Sequence, residues 1–170
     1  MAALPRKLER SDTVEGFDSG APELDAWLVR YAYTNLRANN AITYVSADMD
    51  RVIGYYAIAM AGVELATVPS KLQTARPQQV PCLMLGRLAV DKSAWHQGLG
   101  AGLLQDALVR AVSLSDVVGA AAVLVHARDQ VAKDFYLHNG DFLESPLDPL
   151  QLFVPMKVLR RIYGDRLSAP

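Results

Sequence analysis

Cysteine is almost absent from this chain of 170 residues, in which Cys82 is the only one. A single thiol excludes an internal disulfide and excludes metal clusters with four cysteine ligands, and we expect no bound metal. No apolar run approaches the ~20 residues that a membrane span needs. The opening stretch MAALPRKLERSD lacks the long apolar segment of a signal peptide. These absences predict a cytoplasmic protein with no membrane partner.

An excess of charge of either sign is also missing, because 17 Lys and Arg residues are balanced by 18 Asp and Glu residues, for a formal net charge of −1. A polyanionic partner would therefore need a local basic patch. Repeats and low-complexity tracts are absent as well. With 51% hydrophobic residues, the chain predicts a single domain over residues 1–170 with a well-packed core.

The hydrophobic pattern predicts an α/β protein with a mixed sheet. A helix is expected over residues 19–36, where Pro22 suits the first turn, and two strands within 41–65 join near residues 48–50. Residues 66–81 hold three prolines and predict mostly loop. Strand and helix then alternate: a strand over 82–90, a helix with the apolar face Leu103, Leu104, Ala107, Leu108, Ala111 and Val112, a buried strand over 120–127, a helix over 129–140 and a strand over 149–156.

Two glycines, Gly98 and Gly100, lie where the strand over 82–90 is followed by a helix. The first N–H groups of a helix have no intrahelical partner, and the helix dipole adds partial positive charge there. Glycines would let a phosphate approach those N–H groups closely. The turn is therefore a candidate pyrophosphate cradle, although a Gly-x-Gly alone favours an ordinary tight strand-to-helix turn. The Rossmann fingerprint and the Walker P-loop are both absent.

Two motifs resemble those of the GNAT acetyltransferases. The stretch WHQGLG is similar to the family motif Gln/Arg-x-x-Gly-x-Gly/Ala, with Trp95 in the Gln/Arg position. Residues 129–142 resemble a second motif, Asn-x-x-Ala-x-x-x-Tyr-x-x-x-Gly-(Phe), with Asp129 in place of Asn, Tyr136 in the Tyr position and Asp141 inserted before the Phe. The resemblance implies the GNAT fold, a mixed, mostly antiparallel central sheet splayed in the middle with helices on both faces. It also implies acetyl-CoA as co-substrate.

Four longer stretches of the sequence resemble one particular group within the GNAT acetyltransferases. GFDSGAPELDAWL, RVIGYYAIAM, LGRLAVD and SPLDPLQLFVPM look like the GNAT toxins of bacterial type II toxin–antitoxin modules, over a core of roughly residues 17–156. This likeness implies acetylation of the free α-amine of aminoacyl-tRNA, which blocks translation. It implies as partners a ribbon-helix-helix antitoxin, operator DNA bound only through that antitoxin, and a second copy in a homodimer. The alternatives are acetylation of a small-molecule amine or a protein N-terminus, and a non-catalytic binding module.

The resemblance assigns the site residues. Tyr136 takes the place of the general acid, since a phenol with a pKa of about 10 stays protonated at neutral pH and can donate to the departing sulfur. The alternative is a packed ring whose hydroxyl contacts water. The residues assigned to acetyl-CoA are Leu88, Ala89, Val90, His96, Gln97, Gly98, Leu99, Gly100, Ala101, Asp129, Ala132 and Phe135.

No general base stands out among the three histidines, His96, His126 and His138. An α-amine has a pKa of about 7.7–8.0 in model peptides, and a neighbouring ester lowers it further. Much of an aminoacyl ester is therefore already neutral at pH 7, whereas a lysine amine, with a pKa of about 10.4, would need a base. The lack of a base favours an α-amine substrate.

Several cations are candidates for contact with tRNA. Arg87 lies on the same face of its strand as Leu85 and Ala89, where a charge must be paired or must line a cleft. It either contacts the 3′ end of the substrate or binds a structural carboxylate. For each candidate the alternative is a solvated surface charge. The candidates are Arg37, Arg76, Arg87, Lys92, Arg128 and Lys133.

Overall fold

The computed structural model describes residues 4–167. Its strands are β1 (Arg6–Lys7), β2 (Ile42–Asp48), β3 (Arg51–Glu64), β4 (Gln79–Val90), β5 (Ala122–His126), β6 (Leu143–Glu144) and β7 (Gln151–Pro155). Its α-helices are α1 (Pro22–Arg30), α2 (Ala32–Arg37), α3 (Leu99–Ser115), α4 (Gln130–Asn139) and α5 (Met156–Leu167). Short 3₁₀ helices cover Leu65–Thr67, Ser70–Leu72 and Lys92–Ala94. None of the helices in this range is long and apolar enough to cross a membrane.

The strands form one open sheet in the order β1-β2-β3-β4-β5-β7-β6. The pairs β1–β2, β2–β3, β5–β7 and β6–β7 are antiparallel, and β4 and β5 are parallel. This arrangement confirms the predicted mixed, mostly antiparallel α/β sheet. The β4–β5 register runs from Cys82↔Ala122 to Leu85↔Val125, whereas β4 continues to Val90. The last residues of β4 thus lie beyond that register.

The chain divides into two compact units, each built from two stretches of sequence. The first unit consists of Met1–Ala59 and Gly86–Ala107. Its core is aromatic: the Trp27 ring stacks on Tyr55 with centroids 6.0 Å apart, and the Tyr55 hydroxyl donates to the Leu24 carbonyl at 2.7 Å. Burial of this hydroxyl raises the pKa of Tyr55 well above its usual value. The hydrogen bond fixes α1 against β3.

The second unit consists of Met60–Leu85 and Leu108–Pro170. The apolar run of β5 is buried as predicted, and Leu124 packs in one cluster with Phe153 of β7 and with Cys82. Burial raises the pKa of the Cys82 thiol to about 11. A protonated, buried thiol is inert as a nucleophile, so Cys82 packs as a small hydrophobic side chain.

The differences from the predicted elements are local. The first helix is divided at Tyr31, whose backbone (φ −123°, ψ −24°) leaves the helical region. The strand predicted over 82–90 begins three residues earlier, at Gln79. Two two-residue strands, β1 and β6, are too short to leave a periodic signal. The helix α5 has buried Met156 and Leu159 one turn apart, a helical spacing that follows β7 directly and was not predicted.

Candidate active site

The turn between β4 and α3 has the backbone geometry of an anion site. Gly98 adopts φ 77° and His96 adopts φ 60°, which together reverse the chain into the helix. The Gly98 carbonyl accepts from the Gly102 amide at 3.0 Å, and the three amides of residues 99–101 precede this first helical bond. They therefore have no helical acceptor and carry the positive end of the helix dipole. A Cβ at Gly98 would meet no heavy atom within 4 Å, so the turn is open.

A glycine in β3 places the first turn of α3. A Cβ at Gly54 would lie 2.9 Å from Leu103 Cδ1 and 3.2 Å from Leu99 Cδ2. A larger residue would push α3 away from the strand. Gly54 was not among the residues predicted to shape the site, although an isolated glycine within a strand often indicates such a close approach.

Asp91, another residue that the sequence analysis did not assign, anchors the segment ahead of the turn. Its Oδ1 accepts from the Ser93 amide and hydroxyl at 2.9 and 2.7 Å. Its Oδ2 accepts from the Asp18 amide at 2.9 Å and lies 3.4 Å from Arg51 Nη2. Burial alone would raise the pKa of Asp91, but the hydrogen bonds from Asp18 and Ser93 and the charge of Arg51 lower it overall. The carboxylate is thus ionised and fully engaged. An acid directly after a strand and two residues before a serine is a recognisable capping pattern.

Tyr136 lies on α4, with its ring buried and its hydroxyl without a hydrogen-bond partner in the described part of the chain. The ring makes edge contacts with Phe135 and Phe142, at centroid distances of 5.3 and 5.6 Å. Among residues 4–167, no group forms a hydrogen bond with its hydroxyl. Burial raises the pKa of Tyr136 to about 12. The residue therefore keeps its proton at physiological pH and has a free donor.

The second motif has a structural basis around Tyr136. Asp129 caps α4, since its Oδ1 accepts from the Ala132 amide at 2.8 Å. A Cβ at Gly140 would lie 2.8 Å from the Phe142 ring, so glycine allows that ring to pack beside Tyr136. The inserted Asp141 is exposed. The carboxylate at position 129 thus acts as a helix cap.

The cations predicted to contact tRNA fall into two groups. Lys133 is buried and pairs with Glu144 at 2.7 Å, and exposed Lys92 pairs with Asp18 at 3.1 Å. Exposed Arg128 also has an interaction partner. The others lack a carboxylate partner within the described part of the chain; they are the exposed Arg37 and Arg76 and the half-buried Arg87.

The sequence left two roles open for Arg87, contact with the substrate or binding of a structural carboxylate, and its surroundings decide against the second. Its guanidinium carbon lies 4.3 Å from the centroid of the Trp27 ring, a cation–π contact. No carboxylate of residues 4–167 forms an ion pair with it. The arginine is therefore held by stacking, which leaves its N–H groups available.

The remaining predicted residues are placed as follows. Ala89 is buried, and Leu88 and Val90 are half-buried at the end of β4. The histidines His96, His126 and His138 are exposed, as is Gln97, whose amide donates to the Ser93 carbonyl at 3.4 Å. Within the described residues, no three His, Cys, Asp or Glu side chains are grouped as metal ligands.

Comparisons with known proteins agree with these features. The Acetyltransferase (GNAT) family profile matches residues 6–140. The tRNA-acetylating toxin of Mycobacterium tuberculosis (strain ATCC 25618 / H37Rv) is 40% identical over 163 residues, which are 96% of this chain and 98% of the toxin. Among solved structures, AtaT complexed with acetyl-methionyl-tRNAfMet has a TM-score of 0.85 at 28% identity and covers 94% of this chain and 98% of its own. A mutant AtaT toxin bound to the C-terminus of the antitoxin AtaR and acetyl-CoA has a TM-score of 0.79 at 26% identity, over 94% and 97%.

The family match spans both the open turn before α3 and the motif around Tyr136. It covers more than half of the chain, and the similarity to the mycobacterial toxin extends over nearly all of it. The chain belongs to the Acetyltransferase (GNAT) family.

Proposed function

We propose that this protein is a toxin that transfers the acetyl group of acetyl-CoA to the free α-amine of aminoacyl-tRNA and so blocks translation. The observation that carries the proposal is the 40% identity to a tRNA-acetylating toxin over nearly the full length of both chains. The AtaT structure with acetyl-methionyl-tRNAfMet supports the same substrate class. Aminoacyl-tRNA is a cytoplasmic substrate, so the proposal includes a cytoplasmic location.

The residues present fit acetyl-CoA. When bound, this co-substrate supplies the acetyl group as a thioester. The amides of residues 99–101 would bind its pyrophosphate, because they lack helical acceptors and the space at Gly98 is open. Backbone groups of residues 88–90 would pair with the pantetheine arm, and one N–H there would stabilise the charge that develops on the thioester oxygen. The side chain of Asp129 is not needed for this, since it caps α4.

Tyr136 would supply a proton where the thiolate leaves. Its hydroxyl is protonated and has no hydrogen-bond partner in the described structure, so donation breaks no existing bond. The attacking α-amine loses one proton as the new amide forms, which balances the proton that the thiol gains. An amine that is already neutral at pH 7 needs no basic side chain.

Among the cations predicted to contact tRNA, Arg87 has the best structural support. It is stacked on Trp27 and lacks a carboxylate partner, whereas Lys92 and Lys133 are engaged in ion pairs. Arg37 and Arg76 complete the set of cations that we propose for phosphate contacts.

Labelled acetyl-CoA tests the proposed substrate. Acetyl transfer is measured to charged and to uncharged tRNA, and the product is then treated with mild base to hydrolyse the aminoacyl ester. Label should enter only charged tRNA and should be released with the amino acid. Label on uncharged tRNA, or on free polyamines or amino acids and no tRNA, would contradict the proposal.

The partners follow from the same proposal. A mutant AtaT is seen with the C-terminus of its antitoxin AtaR, which supports a cognate antitoxin for this protein. We propose that this antitoxin is of the ribbon-helix-helix type and that it alone contacts operator DNA. We also propose that the toxin has one catalytic domain, over residues 1–170, and forms a homodimer. Co-expression with the product of the adjacent gene should relieve growth arrest, and light scattering should give the mass of a dimer. The mass of a monomer would contradict the proposed homodimer and would leave the proposed activity and antitoxin unaffected.

A further inference from the structure

Trp95 occupies the first position of the stretch WHQGLG, where the motif that it resembles has Gln or Arg, and its indole forms a hydrogen bond. The Nε1 donates to the Val90 carbonyl at 2.9 Å. Val90 is the last residue of β4, and Trp95 directly follows the 3₁₀ helix Lys92–Ala94. The hydrogen bond therefore ties the start of the turn back to the end of the strand.

The far edge of the same ring lies against the loop that precedes α1. A Cβ at Gly20 would lie 3.6 Å from both Cη2 and Cζ2 of Trp95 and 3.6 Å from Lys92 Cε. Lys92 in turn pairs with Asp18 through its ammonium at 3.1 Å and through its amide at 2.8 Å. The indole thus joins three segments: the end of β4, the 3₁₀ helix and the loop of residues 18–20.

Little else holds the residues that follow. The backbone bonds here join the Trp95 amide to the Lys92 carbonyl, at 3.3 Å, and the Gly102 amide to the Gly98 carbonyl, at 3.0 Å. The side chains add an edge-on approach of His96 to the indole, at 6.3 Å, and a long hydrogen bond from Gln97 to the Ser93 carbonyl, at 3.4 Å. His96 has a φ of 60°, a conformation that costs free energy in a residue with a side chain unless its surroundings fix it, whereas the glycine at position 98 adopts its positive φ without strain. The Trp95–Val90 hydrogen bond, at 2.9 Å, is shorter than the bond from the Trp95 amide to the Lys92 carbonyl, at 3.3 Å, and it restrains the chain where the turn begins.

We propose that Trp95 is a positioning residue for acetyl-CoA, and that its indole N–H, by binding the Val90 carbonyl, holds the turn in the conformation that presents the amides of residues 99–101. The inference rests on the proposed function, since it concerns the same pyrophosphate site. The donor N–H is the property that the indole shares with Gln and Arg side chains. It explains how an aromatic residue can stand in a polar position of the motif.

Two replacements of similar length isolate that N–H. Trp95→Gln and Trp95→Met both remove the ring and its contact with Gly20, but only the glutamine retains an N–H donor. One hydrogen bond is worth about a two- to tenfold change in an equilibrium constant. We expect the KM for acetyl-CoA of the Met variant to exceed that of the Gln variant by this factor. The kcat at saturating acetyl-CoA and the KM for charged tRNA should be equal in the two variants.

The outcomes separate the two proposals. Equal KM values for acetyl-CoA in two active variants would overturn the role of the Trp95 N–H, as would a difference confined to kcat. If the unsubstituted protein fails to bind acetyl-CoA in a calorimetric titration, the proposed function itself is wrong. Should either variant fail to fold, Trp95→Phe, which keeps an aromatic ring without the donor, should show the raised KM relative to the unsubstituted protein. An unchanged KM there would overturn the inference.

Discussion

At the scale of single residues, the packing around Tyr136 suits the role of general acid that we propose for it. Phe135 and Phe142 enclose its ring, and burial raises its pKa to about 12. Its hydroxyl has no hydrogen-bond partner within the described structure. In Tyr55, by contrast, the hydroxyl is committed to the Leu24 carbonyl. The same type of side chain thus has an unpaired hydroxyl at position 136 and a hydrogen-bonded one, which stabilises the fold, at position 55.

Replacing each of these tyrosines with phenylalanine should give opposite results. Tyr136→Phe should lower kcat by about 10²–10⁴, the usual contribution of a general acid, while the melting temperature stays nearly constant. Tyr55→Phe removes the hydrogen bond from the buried hydroxyl to the Leu24 carbonyl and should lower the free energy of unfolding by about 0.5–1.5 kcal/mol, with kcat maintained. The measurements are acetyl transfer to charged tRNA and thermal unfolding. Full activity in Tyr136→Phe would remove this residue from the chemistry.

The raised pKa of Tyr136 also makes a prediction about pH. Because burial raises the pKa of Tyr136, the proposed acid, to about 12, this side chain stays protonated while the substrate α-amine loses its proton. The value of kcat/KM should therefore rise near or below pH 7.7–8.0. It should then remain level up to about pH 10. Initial rates corrected for ester hydrolysis would show this profile. A falling limb between pH 8 and 9 would point to a different acid.

At the scale of elements, the turn into α3 combines a positive-φ glycine with three amides that have no helical acceptor. Gly100 lies within the first helical turn. An acidic residue at this end of a helix is favourable for the helix dipole. A negative charge there should therefore preserve the helix while it competes with the phosphate.

Gly100→Asp tests this arrangement, and Gly100→Asn is the matched control with nearly the same shape and no charge. The Asp variant should lose measurable binding of acetyl-CoA in a calorimetric titration, and the Asn variant should bind more weakly than the unsubstituted protein but detectably. Thermal unfolding of both should remain close to that of the original protein. Equal affinities in the Asp and Asn variants would argue against a phosphate at these amides.

Asp91 supports a prediction about stability at the same scale. Its pKa is lowered in the folded protein, so its ionised form stabilises the fold above the unfolded pKa of about 3.9, and this contribution is lost as the pH falls below that value. Asp91→Asn places an N–H₂ donor or a neutral oxygen where two donors converge and should cost about 1–3 kcal/mol at pH 7. Urea unfolding at pH 7 and pH 3.5 should show the difference shrinking in acid. A difference independent of pH would contradict the role of the charge.

At the scale of the whole molecule, a chain of net charge −1 has to bind a polyanion through a few placed cations. Lys92 and Lys133 are neutralised by Asp18 and Glu144. Arg87 keeps its N–H groups available because an aromatic ring, rather than a carboxylate, holds it. The protein should therefore show a modest but definite dependence on salt.

Salt dependence can be assigned to individual residues. The KM for charged tRNA should rise with salt, and Arg87→Gln should raise KM at low salt and reduce the log–log slope by about one. Lys157→Gln removes an exposed charge on α5 and serves as the control, with an unchanged slope. If both variants have the slope of the unsubstituted protein, Arg87 does not contact phosphate.

Those features of the protein that depend on local pattern could be predicted from the amino-acid sequence. The apolar faces of α3 and β5, the glycine turn and the placement of Tyr136 on a helix all follow from spacing within about 20 residues, and the structure has them where predicted. Capping of α4 by Asp129 likewise needs only the next three residues. Hydrophobic periodicity and chain stiffness act over such short distances, so the positions of these elements can be predicted from the sequence.

Which cationic side chains are paired with a carboxylate depends on tertiary contacts. Lys133 is withdrawn from the surface by Glu144, which lies on a strand of two residues that leaves no sequence signal. Arg87 is stacked on a tryptophan 60 positions earlier in the chain, Trp27. Contacts between residues far apart in sequence depend on how strands and helices pack, and burial then sets whether a charge is paired or available. No local pattern encodes that outcome.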